Sequence, residues 1–247
     1  MRYRIDINCD LGEGVVDDAL LMPLISSCNI ACGGHAGNVQ SMTRALKLAE
    51  EQGVKAGAHP SFPDKEHFGR RDMMISLEEL QSTIIAQIQR LWRIAEKEKV
   101  VLHHVKPHGA LYTKAVKEPE IAKVIVKAVR SIDKSLAIYA PYQSELRIAG
   151  ERIGVKVIYE AFADRNYQND LSLVSRQKER SIIESPKEVY EHLIRMVKEG
   201  SVKTIEGELQ SIKAQTFCIH GDHTNTIDIL QYLHSELPQN GIEISRH

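Results

Sequence analysis

The stretch IDINCDLGE, residues 5–13, starts as an apolar strand-like run and ends in two carboxylates on either side of a Leu-Gly pair. Its apolar part, 5–9, leads directly into Asp10, and Glu13 follows shortly afterwards. Asn8 and Asp10 have the same parity along the predicted strand, so we expect both side chains on one face of the sheet. The stretch therefore predicts a buried strand that carries polar side chains at its carboxyl end.

Five further apolar runs end in the same way, in a glycine or proline cluster with an ionisable side chain. In an α/β fold the carboxyl ends of parallel strands meet at one rim, so side chains from distant parts of the chain converge there. The six endings therefore predict one active site at that rim. The five runs are 28–32 before Gly33-Gly34-His35, 54–58 before His59-Pro60, 102–105 before Lys106-Pro107-His108-Gly109, 155–163 before Asp164-Arg165, and 217–219 before His220-Gly221-Asp222.

Amphipathic helical patterns alternate with these runs, which is typical of βαβ units in a parallel sheet. With the run 136–140 the chain has seven candidate strands, and no low-complexity linker divides it. This pattern favours an α/β fold with one barrel-like domain over residues 1–247, and a doubly wound open sheet is the alternative. Capping residues and first-turn prolines predict helix starts at Asn38, Ser76, Pro119, Ser185 and Thr224.

The composition is that of a globular protein with little charge bias: 247 residues, 43% hydrophobic, 26% charged and a net charge of −1. No basic stripe is interleaved with aromatic residues, which argues against nucleic acid as the main partner. No apolar stretch approaches the ~20 residues that span a bilayer, and the start of the chain has no signal-peptide apolar region. We therefore expect a cytoplasmic protein that does not enter a membrane.

The cysteines form no C-x-x-C pair, and three of the four lie within a few residues of a proposed strand end. We interpret them as small buried apolar residues in a reducing compartment. A zinc site or a catalytic thiol is the alternative interpretation. The four are Cys9, Cys28, Cys32 and Cys218.

The residues at the strand ends are those used for acid–base chemistry and for binding anions. Imidazole titrates near neutral pH, and a fixed ammonium stabilises a developing negative charge. The candidate catalytic residues are Asp10, His35, His59, Lys106 and His108. The candidates for binding substrate or phosphate are Glu13, Asn29, Arg70, Arg71, Tyr112, Asp164, Arg165, His220 and Asp222.

A metal site is an open alternative, because several of these side chains are metal ligands. The sequence contains no H-E-x-x-H and no H-x-H motif, so spacing does not select a ligand set. A neutral histidine acting as general acid or base explains the same residues without a metal. The metal-ligand candidates are any three of Asp10, His35, His59, His108, His220 and Asp222.

Two further features concern local structure. The glycine-rich segment around His35 precedes the predicted N-cap Asn38, and free N–H groups at that helix start are expected to suit an anion. His103 and His104 face opposite sides of one strand, and we expect one of them to be a packed structural histidine.

Seven stretches resemble, in order along nearly the whole chain, the LamB/YcsF family, which comprises the A subunits of 5-oxoprolinase. The resemblance implies a seven-stranded barrel-like (β/α) fold related to polysaccharide deacetylases. It also implies opening of 5-oxoproline to glutamate, coupled to ATP hydrolysis, in a complex with partner subunits B and C. The stretches are IDINCDLGE (5–13), NIACGGHAG (29–37), GAHP (57–60), FGRR (68–71), VKPHGALY (105–112), FADR (162–165) and CIHGD (218–222).

ATP would then be a co-substrate of the complex, whereas the resemblance leaves a divalent metal undecided. The chain contains no G-x-x-x-x-G-K-[ST] motif, which agrees with a partner subunit that helps to handle ATP. Two other classes of function stay open. One is a stand-alone metal-dependent amidase or deacetylase with the same barrel, and the other is a non-catalytic carboxylate-binding module.

Overall fold

The structure is a computed structural model, and it describes residues 2–15, 17–221 and 225–245. The strands are β1 (Tyr3–Leu11), β2 (Ser27–Ala31), β3 (Lys55–His59), β4 (Leu102–Val105), β5 (Ala137–Ala140), β6 (Val157–Phe162), β7 (Ser201–Lys203), β8 (Leu209–Ser211), β9 (Thr216–Cys218) and β10 (Ile242–Ile244). The helices are α1 (Asp18–Leu21), α2 (Val39–Gln52), α3 (Leu77–Glu98), α4 (Gly109–Lys117), α5 (Pro119–Ile132), α6 (Glu145–Arg152), α7 (Pro186–Glu199) and α8 (Thr226–Glu236), with 3-10 turns at Met22–Leu24 and Pro238–Asn240.

Seven of these strands form a closed parallel barrel. Their order is β1-β2-β3-β4-β5-β6-β9, and β9 pairs with both β6 and β1, which closes the ring. Strand β10 lies outside it and pairs with the first residues of β1. The predicted seven-stranded barrel is confirmed and the open doubly wound sheet is wrong. Because every strand of the barrel is parallel, all seven carboxyl ends lie at one rim.

The helices begin and end at the capping residues that the sequence predicts. Asn38 accepts hydrogen bonds from two backbone N–H groups of the first turn of α2, which ends at Gly53 with a φ of 64°. Ser76 and Ser185 cap α3 and α7 through their side chains. The predicted cap Thr224 lies outside the described residues. Within the described ranges, no helix has the length and apolar character needed to cross a membrane.

The antiparallel hairpin of β7 and β8 has no counterpart in the sequence prediction. Its strands are three residues long and partly exposed, so they produce no apolar run. The cysteines agree with the prediction, because all four are free and buried.

The two faces of the strands differ in chemistry. Odd-numbered residues of β1 belong to the apolar core that packs under the helices. The even-numbered Asp6, Asn8 and Asp10 point into the barrel and bond to side chains of other strands. Near the amino end of the barrel, Asp6 accepts from the hydroxyls of Ser27 and Thr216. The barrel interior is therefore a stack of polar layers that leads to the rim.

Candidate active site

Lys106 is the centre of the upper layer of the barrel. It directly follows β4, its side chain is buried, and its Nζ donates to Asp10 Oδ1 at 3.1 Å and to Asn8 Oδ1 at 3.2 Å. Nζ also lies 3.0 Å from Glu160 Oε1 and 3.0 Å from Cys218 Sγ. A lysine this deeply buried needs such partners, because an unpaired buried charge is costly.

The surroundings of Lys106 and Asp10 keep both side chains charged. Burial acts to lower the pKa of Lys106, but the nearby Asp10 and other anionic groups raise it well above its usual value. Burial acts to raise the pKa of Asp10, but His59 and Lys106 hold it well below its usual range. At neutral pH the site therefore contains a fixed ammonium against a fixed carboxylate.

Glu160 supports this layer from below. Its carboxylate accepts from Asn8 Nδ2 at 3.0 Å and from the Tyr112 hydroxyl at 2.7 Å. The pKa of Tyr112 lies well above its usual value, mainly because the side chain is buried and also because Glu160 is adjacent. The phenol therefore keeps its proton. The Tyr112 hydroxyl is thus directed at Glu160.

Three histidines and Glu13 form a cluster beside Asp10. His59 Nε2 lies 3.4 Å from Asp10 Oδ2 and 2.9 Å from His108 Nδ1. His35 Nε2 lies 2.9 Å from Glu13 Oε1, and the ring of His35 stacks on that of His108 at 3.7 Å. Burial lowers the pKa values of His35 and His108, so both rings are neutral at pH 7.

The structure brings together all five candidate catalytic residues. Each of the five side chains is buried, and each belongs to the carboxyl end of a barrel strand or to the loop after it. Their individual roles stay predictions. The five are Asp10, His35, His59, Lys106 and His108.

His220 and Asp164 line the opposite side of the same rim. The His220 backbone N–H donates to Asp164 Oδ2 at 2.7 Å. The ring nitrogen Nδ1 of His220 lies 2.9 Å from the same oxygen. His220 also has a ring nitrogen within 4.8 Å of Asp10 and Cys218 ligand atoms. Asn29 is the register partner of Asp10 on β2, and its Nδ2 donates to Asp10 Oδ1 at 2.8 Å.

The other candidates for binding substrate are directed elsewhere or not described. Arg165 is buried and donates to the backbone carbonyls of Ser181 and Val174, so its guanidinium anchors the segment 166–183. Arg70 and Arg71 are exposed. Asp222 lies outside the described residues.

Two local expectations have different outcomes. The Asn38 side chain accepts from the backbone N–H groups of Gln40 and Ser41 at the start of α2, so these two groups are not free for an anion, and the expected anion site stays a prediction. The expectation of one structural histidine is confirmed by His104. It is fully buried, its ring stacks on Tyr139 at 3.8 Å, and its Nε2 lies 2.7 Å from Asn29 Oδ1. Gly57 leaves the room for this ring, because a Cβ at that position would collide with it.

Sequence reasoning missed Glu160 as a site residue, and it favoured a small buried apolar role for Cys218 over a zinc site or a catalytic thiol. Glu160 is the one charged residue in the apolar run VIYEAF of β6. Charged side chains are seldom fully buried without a partner, so its position in a buried strand was a usable signal. Cys218 gave no such signal. Burial raises the pKa of its thiol well above the usual value, so it stays protonated beside Lys106.

Acid is expected to destabilise the fold as buried histidines gain protons. Burial lowers the pKa of His104 well below its usual value and that of His192 to about 4. Both values return to about 6.5 on unfolding, so below that pH the unfolded chain binds more protons. Their contribution to stability is therefore complete above pH 6.5. It falls by about 1.4 kcal/mol per pH unit for each histidine as the pH drops toward the folded pKa.

Urea unfolding at a series of pH values from about 7.5 to about 5 measures this slope. In the variant His192→Gln, the free energy of unfolding should change less steeply with pH, by the contribution of one histidine. A free energy of unfolding that stays constant over this interval would contradict the neutral burial of these rings.

Comparison with known proteins gives consistent results across sequence and structure. The sequence model of the LamB/YcsF family matches residues 5–247. The 5-oxoprolinase A subunit of Tolumonas auensis is 44% identical over 246 residues, which is 98% of each chain. The proteins of that name from Bacillus subtilis and Pyrococcus abyssi are 42% and 41% identical, over 98% of this chain and 96% of theirs.

Among solved structures, the lactam utilization protein from Thermus thermophilus has the same fold. Its TM-score is 0.92 at 36% identity, and the match covers 99% of this chain and 100% of that chain. The matches extend over nearly the whole length on both sides, and the barrel agrees with them. The chain belongs to the LamB/YcsF family.

Proposed function

We propose that the protein is the A subunit of an ATP-dependent 5-oxoprolinase. It opens the lactam of 5-oxo-L-proline to L-glutamate while ATP is hydrolysed to ADP and phosphate, in a complex with subunits B and C. The observation that carries the proposal is the buried, charged Lys106 at the barrel rim, with Asp10 and a cluster of histidines beside it. The names of the relatives, which are 5-oxoprolinase A subunits and a lactam utilization protein, support it.

A lactam needs activation, because an amide is a poor electrophile. Transfer of the terminal phosphoryl group of ATP to the lactam oxygen breaks a P–O bond, releases ADP and makes the ring carbon electrophilic. Water then adds to that carbon, the C–N bond breaks, and the ring nitrogen takes a proton. A second water hydrolyses the resulting acyl phosphate, which gives glutamate and phosphate.

The rim supplies the groups that these steps need. The Lys106 ammonium is positioned to balance the negative charge of the phosphoryl group or of a tetrahedral intermediate. When no cation is bound, His35 and His108 are neutral at pH 7, so either can accept a proton from water and later donate it to the departing nitrogen. Glu13, Asn29, Asp164 and His220 are the candidates for contact with substrate or phosphate.

One small cavity lies at the edge of the rim, beside Asp10, Glu13 and Gly221, and it is lined also by Leu11, Asp18 and Leu21. Its volume is about 10 Å³, which accommodates about one water molecule. A five-membered lactam is several times larger than water and does not fit this cavity. The need for ATP agrees with a reaction in the cytoplasm.

Reconstitution tests the proposal. The purified chain is assayed for glutamate release from 5-oxoproline, alone and with subunits B and C, with and without ATP. Glutamate and ADP should appear together only in the complete mixture. Rapid ATP-independent ring opening by the chain alone would contradict the proposal and favour a stand-alone amidase, and a complete mixture without turnover would also contradict it.

A further inference from the structure

The backbone determines which ring nitrogens of two site histidines carry protons. His59 Nδ1 lies 2.7 Å from the carbonyl oxygen of Lys106, and His108 Nε2 lies 2.9 Å from that of Phe68. A carbonyl oxygen only accepts hydrogen bonds, so each of these nitrogens must be the donor. In the neutral rings the opposite nitrogens, His59 Nε2 and His108 Nδ1, then carry lone pairs.

Those two lone-pair nitrogens face the same space. They are 2.9 Å apart, and neither has a proton to share when both rings are neutral. The carboxylate oxygen Glu13 Oε1 converges on the same point, 3.5 Å from His108 Nδ1 and 3.9 Å from His59 Nε2. Three electron-pair donors that converge in a buried place need one positive charge between them, either an added proton or a bound cation, and Asp10 Oδ2, 3.4 Å from His59 Nε2, adds a further negative charge nearby.

The three distances fit a first-row divalent metal. A circle through the three atoms has a radius of about 2.0 Å, which is the length of a zinc–nitrogen or zinc–oxygen bond. The rings of His59 and His108 are 85° apart, so one ion can lie in the plane of both. Two imidazoles and one carboxylate leave further coordination positions free, as in catalytic zinc sites.

His35 belongs to the support of this site. Its ring is parallel to that of His108, at 4° and 3.7 Å, so no single ion can lie in both ring planes. Its Nε2 lies 2.9 Å from Glu13 Oε1, so it is positioned to orient that carboxylate as a metal ligand. Such outer contacts fix a ligand and tune its affinity for metal.

The second cluster of ligand types at the rim is less suitable. Asp10, Cys218 and His220 also bring ligand atoms within 4.8 Å of one another. The Lys106 ammonium, however, lies 3.1 Å from Asp10 Oδ1 and 3.0 Å from Cys218 Sγ. A second cation at that position would be repelled by the ammonium.

We propose that His59 Nε2, His108 Nδ1 and Glu13 Oε1 bind one zinc-type divalent cation at the barrel rim, with His35 as a positioning residue for Glu13. The proposal does not depend on the oxoprolinase reaction, since it concerns binding alone. When bound, the ion would supply a Lewis acid next to the site of Lys106 and Asp10.

Metal binding by the whole chain is the test. Protein treated with a chelator and dialysed is titrated with Zn²⁺ by calorimetry and with Co²⁺ by visible absorption, whose ligand-field bands report nitrogen and oxygen coordination. We expect one ion per chain. Glu13→Gln and His108→Gln should each weaken the affinity by at least about 100-fold, and His35→Gln by roughly 10-fold, as expected for an outer contact.

His234→Gln is the matched control, because His234 is half-buried on α8 and bonds the Leu24 carbonyl. It should bind metal as the wild type does. Near-ultraviolet circular dichroism confirms that each variant is folded, and Glu13→Gln, at the less buried ligand, carries the comparison if His108→Gln unfolds. A folded wild-type chain that binds neither ion would show that the two nitrogens share a proton instead. That outcome overturns the proposal, as does binding that Glu13→Gln leaves unchanged.

Discussion

Replacement of Lys106 with methionine is expected to lower the free energy of unfolding by about 3–5 kcal/mol, the usual cost of removing one partner of a buried ion pair. Methionine keeps an unbranched apolar stem and is one atom shorter than lysine, so packing changes little. The ammonium, however, lies 3.1 Å from Asp10 and 3.0 Å from Glu160, both buried. Without it, Asp10 keeps a carboxylate in the barrel interior and loses its ammonium partner.

Urea unfolding of the purified variant measures this effect. The matched control is Lys114→Met, because Lys114 also lies between two carboxylates, 2.9 Å from Asp72 and 3.2 Å from Glu118, but at the surface. That variant should lose less than about 1 kcal/mol, since solvent screens exposed pairs. If Lys106→Met were as stable as Lys114→Met, the ion pair in the barrel would not be an energetic centre of the fold.

His108→Gln is expected to lower turnover of the reconstituted 5-oxoprolinase by roughly 10²–10⁴-fold, the usual contribution of a positioned acid or base. The glutamine amide can still donate to the Phe68 carbonyl, so the loop position is preserved. What is lost is the Nδ1 lone pair near Asp10 and Glu13, which accepts a proton when no cation is bound and holds the ion in the cation-bound state proposed above. The fold should survive, because a rim side chain contributes little to the apolar core.

Glutamate release at saturating ATP measures this loss, with His234→Gln as the control on α8. The control should retain wild-type turnover. A His108→Gln complex with full turnover would show that the ring has no part in the chemistry. A variant that unfolds would show that His108 is structural.

Much of the barrel and part of its rim were predictable, because they depend on short-range rules. A strand turns alternate side chains to opposite faces, so Asn8 and Asp10 were expected on one face, and both point into the barrel. Parallel strands end at one rim, so Lys106 and His59 were expected near each other. The capping residues Asn38 and Ser76 act on their own helices, and this is why those boundaries agree with the sequence.

Other features depend on which strands become neighbours and in what register. Glu160 meets Asn8 because β9 joins β6 to β1, and no local pattern in the sequence encodes that closure. Arg165 looked like an anion-binding residue, yet its guanidinium donates to the carbonyls of Ser181 and Val174. A side chain's direction depends on the backbone groups that tertiary packing brings near it.

The sequence by itself determined the alternation of strands and helices, the faces of each strand and the kinds of side chain at the rim. Only the tertiary structure decided the pairing of Lys106 with Glu160, the proton positions of His59 and His108, and the convergence of Glu13 on them. The reason is physical. Periodicity and capping act over a few residues, whereas hydrogen bonds and charge pairs in a barrel join residues that are distant in sequence. Their geometry exists only once the ring of strands has closed.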